Sequence, residues 1–433
     1  MDTAQVTGIE MGLINHNRIV YLKSYGYKNN TNQELNDTAT CFYGASLSKS
    51  LFAYMVMELV DQGKLDLDKP LYTYLPKPLP EFENYKDLAG DEQYKLITAR
   101  ICLDHTTGFP NWRQFNPRDN KKLEIFFTPG SRYAYSGEGI YLLQLVVETI
   151  TGRSLEELAQ ENIFKPLGMY RSGYVWQSSF ETDYAVGHDL NGDTLLKRRS
   201  ARMNAAGSLE TSIADYTRFY AAVLQGKGLT KKSWREMFSP QVRIYSKTQF
   251  PSLRNDSTSA NTPIQLSYGL GWGLFQTPYG QVFFKEGHDD GWGHYTIGLP
   301  EKGFALLLFS NSSNGESIYK ELVENITGIS LPWVWENYIP YRPYVKLPDS
   351  VLQKFTGEYD GKIKAFITLE NGQLKLASPA PDQVKINLYA TSEHHFFMKS
   401  ADIELDFLAD LSGKIEKAVV IEEGKQYELI KLK

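Results

Sequence analysis

In Gly44-Ala45-Ser46-Leu47-Ser48-Lys49 a serine stands three residues ahead of a lysine. On a helix that spacing puts hydroxyl and amine on one face, within reach of each other. A serine hydroxyl is a weak nucleophile and needs such a neighbour to take its proton. Leu51, Phe52, Tyr54, Met55, Val56, Leu59 and Val60 follow, facing nearly all directions. This predicts a buried helix over 47–62, stopped by Gly63. Ser46 at its start would sit at the positive end of the helix dipole, which favours an alkoxide or oxyanion. Alone the pattern is weak. About one such match is expected by chance in a chain this long, and a capping Ser before a solvated Lys is spelled the same way.

Two more segments hold candidate chemistry. Tyr135-Ser136-Gly137 lies in a loop rich in turn residues, directly before a second apolar helix predicted over 138–151 and closed by Gly152. A phenol beside two lysines should have a depressed pKa, so Tyr135 could serve as base and then acid. Lys285-Glu286-Gly287-His288-Asp289-Asp290-Gly291 falls between two predicted strands. A Lys at a strand edge followed by Gly lets a substrate backbone lie close to a sheet. A charged hairpin turn reads the same way.

The remaining elements must bring these segments together. Alternation over residues 7–25 around Asn15-His16-Asn17 predicts a hairpin. Residues 65–130 are loops with short helices. Ser212, with Asp215 three residues on, predicts the start of a helix over 212–225. Strands follow from Tyr268 to Phe309, then a helix over 315–326. Strands at both ends enclosing helices imply one α+β domain. Four prolines between Leu331 and Pro348 mark a stiff linker. Beyond it, Asn371-Gly372, Ser412-Gly413 and Glu423-Gly424 mark tight turns. Residues 347–433 read as a small antiparallel β barrel or sandwich. The domain expectation is 1–340 and 341–433.

Bulk properties narrow the function. The 433 residues carry a net charge of −5, with no extended basic stripe for phosphates, so no nucleic-acid partner is expected. Apolar runs such as Phe304–Phe309 are too short to span a bilayer. Two cysteines, Cys41 and Cys102, exclude a disulfide framework and read as buried thiols. His394 and His395 are adjacent in a strand, face opposite ways and make poor joint metal ligands. No metal or cofactor is expected. No secretory signal is visible, and the strand-like start at Gly8–Ile14 leaves open the removal of a native leader and first helix.

The ordered set Ser-x-x-Lys, Tyr-Ser-x, Lys-x-Gly resembles the serine β-lactamase and penicillin-binding-protein superfamily, in particular its class C β-lactamase, D-aminopeptidase and esterase branch. Leu103-Asp104-His105-Thr106-Thr107-Gly108-Phe109-Pro110, Ala205-Ala206-Gly207-Ser208-Leu209 with Asp215, and the run Lys285–Tyr295 are similar to further family segments. The resemblance covers about residues 7–328. Residues 347–433 resemble the lipocalin-like domain that follows many such hydrolases.

The resemblance implies a β-lactamase/transpeptidase-like fold and an acyl-enzyme at Ser46. Lys49 and Tyr135 share its proton, either being the base. Lys285 tunes Tyr135 and holds a substrate carboxylate. The backbone N–H groups of Ser46 and His288 form the oxyanion hole. Gly137, Glu286 and Gly287 lie where substrate binds, and His105 braces a loop. A small-molecule or peptide substrate and a bacterial periplasmic or extracellular setting are implied.

Two departures stand out. Gly137 replaces an Asn whose amide would contact an acylamide. Glu286 replaces a Thr whose hydroxyl would donate to a carboxylate, and a carboxylate repels one. These point away from β-lactams, toward esters or substrates bearing an amine. The competing reading is a β-lactam or peptidoglycan sensor that acylates without turnover.

Overall fold

His16 and Asn17 both adopt positive φ, +48° and +59°, the backbone of a tight two-residue hairpin turn. They join β1 (Gly8–Asn15) to β2 (Arg18–Asn29), as the alternation predicts. The structure is a computed structural model and describes residues 1–379, 385–422 and 424–432.

After β3 (Glu34–Leu35), a two-stranded pair is formed by β4 (Phe42–Tyr43) and β5 (Glu210–Thr211). The main sheet is completed by β6 (Val242–Arg243), β7 (Ser267–Tyr268), β8 (Gly273–Thr277), β9 (Gly280–Asp289), β10 (Trp292–Leu299) and β11 (Phe304–Ser310). Its order is β3-β2-β1-β11-β10-β9-β8-β7-β6. The hairpin at the start of the unit is thus stitched to β11 from its far end, Ile9 opposite Ser310.

Helices α1 (Leu47–Asp61), α2 (Gly137–Thr151), α3 (Ile213–Gln225) and α4 (Tyr319–Thr327) match the sequence expectation within a few residues. In α1 every residue from Leu47 to Met57 is buried, as its all-round apolar pattern requires. Gly63 (φ +68°) follows its end. Ser212 caps α3 by accepting from the Asp215 N–H at 3.2 Å. The Asp215 carboxylate does not return to the cap. It accepts from the Arg171 N–H at 2.7 Å and pairs with Arg218, tying a distant loop to the helix.

One expectation needs correction. Lys285, Glu286 and Gly287 do not lie at a strand edge or in a turn. They are interior to β9, paired with Thr296, Tyr295 and His294 of β10. The turn comes only at Asp290-Gly291. Adjacent opposite charges can sit inside a strand because they neutralise each other (below).

The chain forms two units, Met1–Tyr338 and Ile339–Lys433. In the second, a closed barrel is built from β12 (Gly357–Gly361), β13 (Ala365–Glu370), β14 (Gln373–Ala377), β15 (Ile386–Ala390), β16 (His395–Phe397), β17 (Ile403–Ala409), β18 (Ile415–Glu422) and β19 (Lys425–Lys431). Phe355, Tyr359, Phe396, Leu405 and Phe407 are buried in its core. Asn371-Gly372 and Gly413 take the positive φ their turns need; Glu423, of the third expected turn, lies outside the described residues. His395 pairs with Asp406 and Glu404, while His394 meets the ring of Phe355, so the two point apart. Both cysteines are buried free thiols. Among the described residues no helix is long and apolar enough to cross a membrane.

Candidate active site

Ser46 is the N-cap of α1, and its side chain bonds no backbone N–H of the helix. Ala45 before it is held at φ +44°, a conformation that costs a non-glycine residue of order 1 kcal/mol or more. The turn is braced from outside. Gly44 N–H donates to Leu209 O at 2.7 Å, and Leu209 N–H donates to Ser48 Oγ at 2.9 Å. The Ala205–Leu209 segment therefore braces the Gly44–Ser46 turn.

Lys49, one turn on, is fully buried. Its Nζ lies 2.9 Å from Ser46 Oγ and 2.6 Å from Ala206 O. It sits between two rings, 4.9 Å from the Tyr135 centroid and 5.6 Å from Trp112. Burial, reinforced by the charge of Lys285, pulls its pKa well below the usual lysine range, with Glu286 opposing weakly. Among the described residues no carboxylate is bonded to it.

Tyr135 precedes α2, whose N-cap is Ser136. Ser136 N–H donates to His105 Nδ1 at 3.1 Å, and the His105 ring lies 4.2 Å from that of Tyr135. His105 thus braces the loop, as expected. The expected depression of the Tyr135 pKa is not found. Burial pushes it up, Lys285 pulls it down, and Glu286 pushes it up again, for a net rise. Nearby positive charge does not outweigh desolvation of a buried phenolate.

Lys285 Nζ lies 3.1 Å from Tyr135 Oη, 3.0 Å from Glu286 O and 2.9 Å from Glu286 Oε1. An ammonium has three N–H donors, and these contacts use all of them. Burial works to lower its pKa, but Glu286 and Tyr135 overcome it and raise the value. The two lysines beside one phenol are thereby shifted in opposite directions. Glu286 Oε1 also accepts from Gln249 Nε2 at 2.8 Å.

Gly287 is where β9 touches the turn that precedes α1. A Cβ there would come 2.7 Å from Gly44 O and 3.0 Å from Leu47 Cγ, so only glycine lets the strand approach. The next residue, His288, is brought beside that turn with its imidazole exposed toward Glu316, 3.2 Å away. The Glu316 charge raises the pKa of that imidazole.

Ser46, Tyr135, Glu286 and His288 line one cleft of about 1580 Å³. Ser46, Lys49, Tyr135 and Lys285, named from sequence, are thus brought together, with Glu286, Gly287 and His288 alongside. Sequence reasoning missed Gln249, which no local pattern marks, and Trp112. Trp112 follows the Thr107–Pro110 loop by two residues, and its ring lies over Gly137. It also missed the clamp between Arg113 and Glu138, Nη2 to Oε2 2.7 Å.

A nine-stranded antiparallel sheet packed on helices, with a Ser-x-x-Lys helix start set against strand β9, is the β-lactamase/transpeptidase fold, here followed by a closed eight-stranded barrel. The chain belongs to the Beta-lactamase family, whose sequence profile matches residues 1–327. It is similar to penicillin-binding protein 4* of Bacillus subtilis, 24% identical over 458 residues, spanning 96% of this chain and 93% of that protein. Among solved structures, the octameric penicillin-binding protein homologue from Pyrococcus abyssi aligns over 100% of this chain and 97% of its own, with TM-score 0.62 and 22% identity. The D-alanine carboxypeptidase AmpC from Burkholderia cenocepacia covers 72% of this chain and 90% of its own, with TM-score 0.58 and 18% identity.

Proposed function

We propose that the protein is a serine hydrolase that acts through an acyl-enzyme at Ser46 on esters or amides lacking a carboxylate beside the scissile bond. The 2.9 Å approach of a buried Lys49 amine to Ser46 Oγ carries this reading. A lowered pKa favours the neutral amine, the form that accepts the Ser46 proton as Oγ bonds the carbonyl carbon. The backbone N–H groups of Ser46 and His288 take the developing oxyanion. Tyr135, still a phenol, gives its proton to the leaving group, and protonated Lys49 then returns one to Tyr135. Lys285 faces the transient phenolate with a positive charge. Water repeats the sequence and frees the acid.

The substrate preference follows from counting donors. All three Lys285 N–H groups are engaged within the protein, and Glu286 offers only acceptor oxygens. A substrate carboxylate here meets no free ammonium donor and a like charge. Kinship with bacterial penicillin-binding proteins supports an extracytoplasmic setting.

A panel of p-nitrophenyl esters, D-alanyl amides and an anionic cephalosporin tests the preference. Esters or amine-bearing amides should turn over fastest; a lead for the cephalosporin refutes it. A persistent adduct without turnover on every substrate favours the sensor reading instead. Glu286→Thr, which restores a hydroxyl donor and removes the repelling charge, should raise cephalosporin acylation about tenfold or more.

The pH profile tests the roles of Lys49 and Tyr135. Activity needs Lys49 neutral, so the acid limb of kcat/KM should fall well below the ordinary lysine value of 10.5. It needs Tyr135 protonated, so the alkaline limb should fall above 10.0. Glu286 raises both values. Glu286→Gln should therefore move both limbs to lower pH, and limbs that stay in place remove the pair from these roles.

A further inference from the structure

The absent side chain at Gly137 has not left a void. A Cβ built there would lie 2.5 Å from both Cη2 and Cζ3 of Trp112. The indole occupies the space into which a residue-137 side chain would project. A residue from a different loop therefore supplies the wall at this position.

That wall is held rigidly. Asn111 O accepts from Gly137 N–H at 2.9 Å and from Glu138 N–H at 3.1 Å. Arg113 N–H donates to Glu138 Oε1 at 3.0 Å, and its guanidinium grips the same carboxylate. Residues on both sides of Trp112 are thus clamped to the first turn of α2. The ring rests 5.4 Å from that of Tyr141, and Tyr141 Oη is bonded by Asn204.

Trp112 is half-buried and lines the same cleft as Ser46. Its ring is 5.6 Å from Lys49 Nζ, so it borders the reacting centre directly. Phe115 and Leu196, 66% and 92% exposed, line the same cleft with Tyr141 and Met203. An amide wall would offer a donor and an acceptor. An indole offers a flat apolar face that prefers stacked or edge-on aromatic partners.

We infer that Trp112 is a specificity-determining residue, and that the acyl group seated against it is aromatic or bulky and apolar rather than an acylamide. The inference rests on the acyl-enzyme reading of Ser46.

The test compares kcat/KM for p-nitrophenyl phenylacetate and p-nitrophenyl acetate, alongside labelling of Ser46 by a fluorophosphonate. Apolar pocket contacts discriminate by roughly 10–200-fold. In Trp112→Ala the phenylacetate-to-acetate ratio should fall at least about tenfold, with the label retained. Gly137→Ala, whose new methyl must displace the indole, should lower the same ratio and decides the matter should Trp112→Ala fail to fold. A labelled variant with an unchanged ratio overturns the inference alone. A wild-type protein that takes no label at Ser46 overturns the acyl-enzyme reading beneath it as well.

Discussion

Replacing Ser46 by Ala should cut kcat on the best substrate on the order of 10⁴-fold or more, and Lys49→Met should do nearly the same. Removing either member of a nucleophile–base pair disables the unit, so the double variant should be little worse than each single one. Lys49 Nζ lies 2.9 Å from Ser46 Oγ, close enough to take this proton. Lys49 is a polar amine at a fully buried position, bonded otherwise to Ala206 O. Met has similar length and no polar group to bury. The variant should therefore melt no lower than wild type while losing turnover, a site kept for chemistry at the expense of stability. Stopped assays with a fluorophosphonate label and a thermal melt measure both. Retention of more than a hundredth of wild-type kcat in Lys49→Met would remove it as the base.

The second large effect concerns Lys197 and Glu210. Their 2.7 Å ion pair is 4% and 5% exposed. The ammonium lies between the rings of Trp176 and Trp292, 5.1 and 4.9 Å from their centroids. Cys41 Sγ approaches the same carboxylate at 3.8 Å. Burial raises the Glu210 pKa, and Lys197 only partly opposes it. Glu210→Ala leaves a buried ammonium without its counter-charge and should cost about 3–5 kcal/mol. Lys197→Met with Glu210→Leu removes both charges and should lie close to wild type. The midpoint of urea unfolding reads the difference, and a single variant as stable as the double would refute the argument. Glu210 belongs to β5, paired with Phe42–Tyr43 just ahead of the nucleophile turn. Loss of the pair should therefore also lower activity.

Much of this was legible where local rules act alone. The α1 helix is apolar on every side and ends at a glycine, and Asn15-His16-Asn17 spells its own turn. Ser46 and Lys49 are neighbours through helix geometry, which a sequence displays. Tyr135 and Lys285 reach them across long separations, and there only the ordered family motifs pointed the way. What failed was what depends on neighbours brought from elsewhere. Lys285-Glu286 reads as a turn because charges avoid strand interiors, yet each cancels the other within β9. The Tyr135 phenol looked easy to ionise beside lysines, yet burial, invisible in a string of letters, prevails. Gly137 read as a loss, because the indole that fills its place comes from residue 112.

The barrel of the second unit ends where it begins, with β12 hydrogen-bonded to β19, Tyr359 opposite Lys431. A cylinder sealed along that seam has no row of lateral N–H and C=O groups left among its described strands. The described strands therefore present no open edge strand for a guest peptide to extend, and backbone left free within them is taken locally, as where Val345 N–H donates to Ala390 O at 2.8 Å.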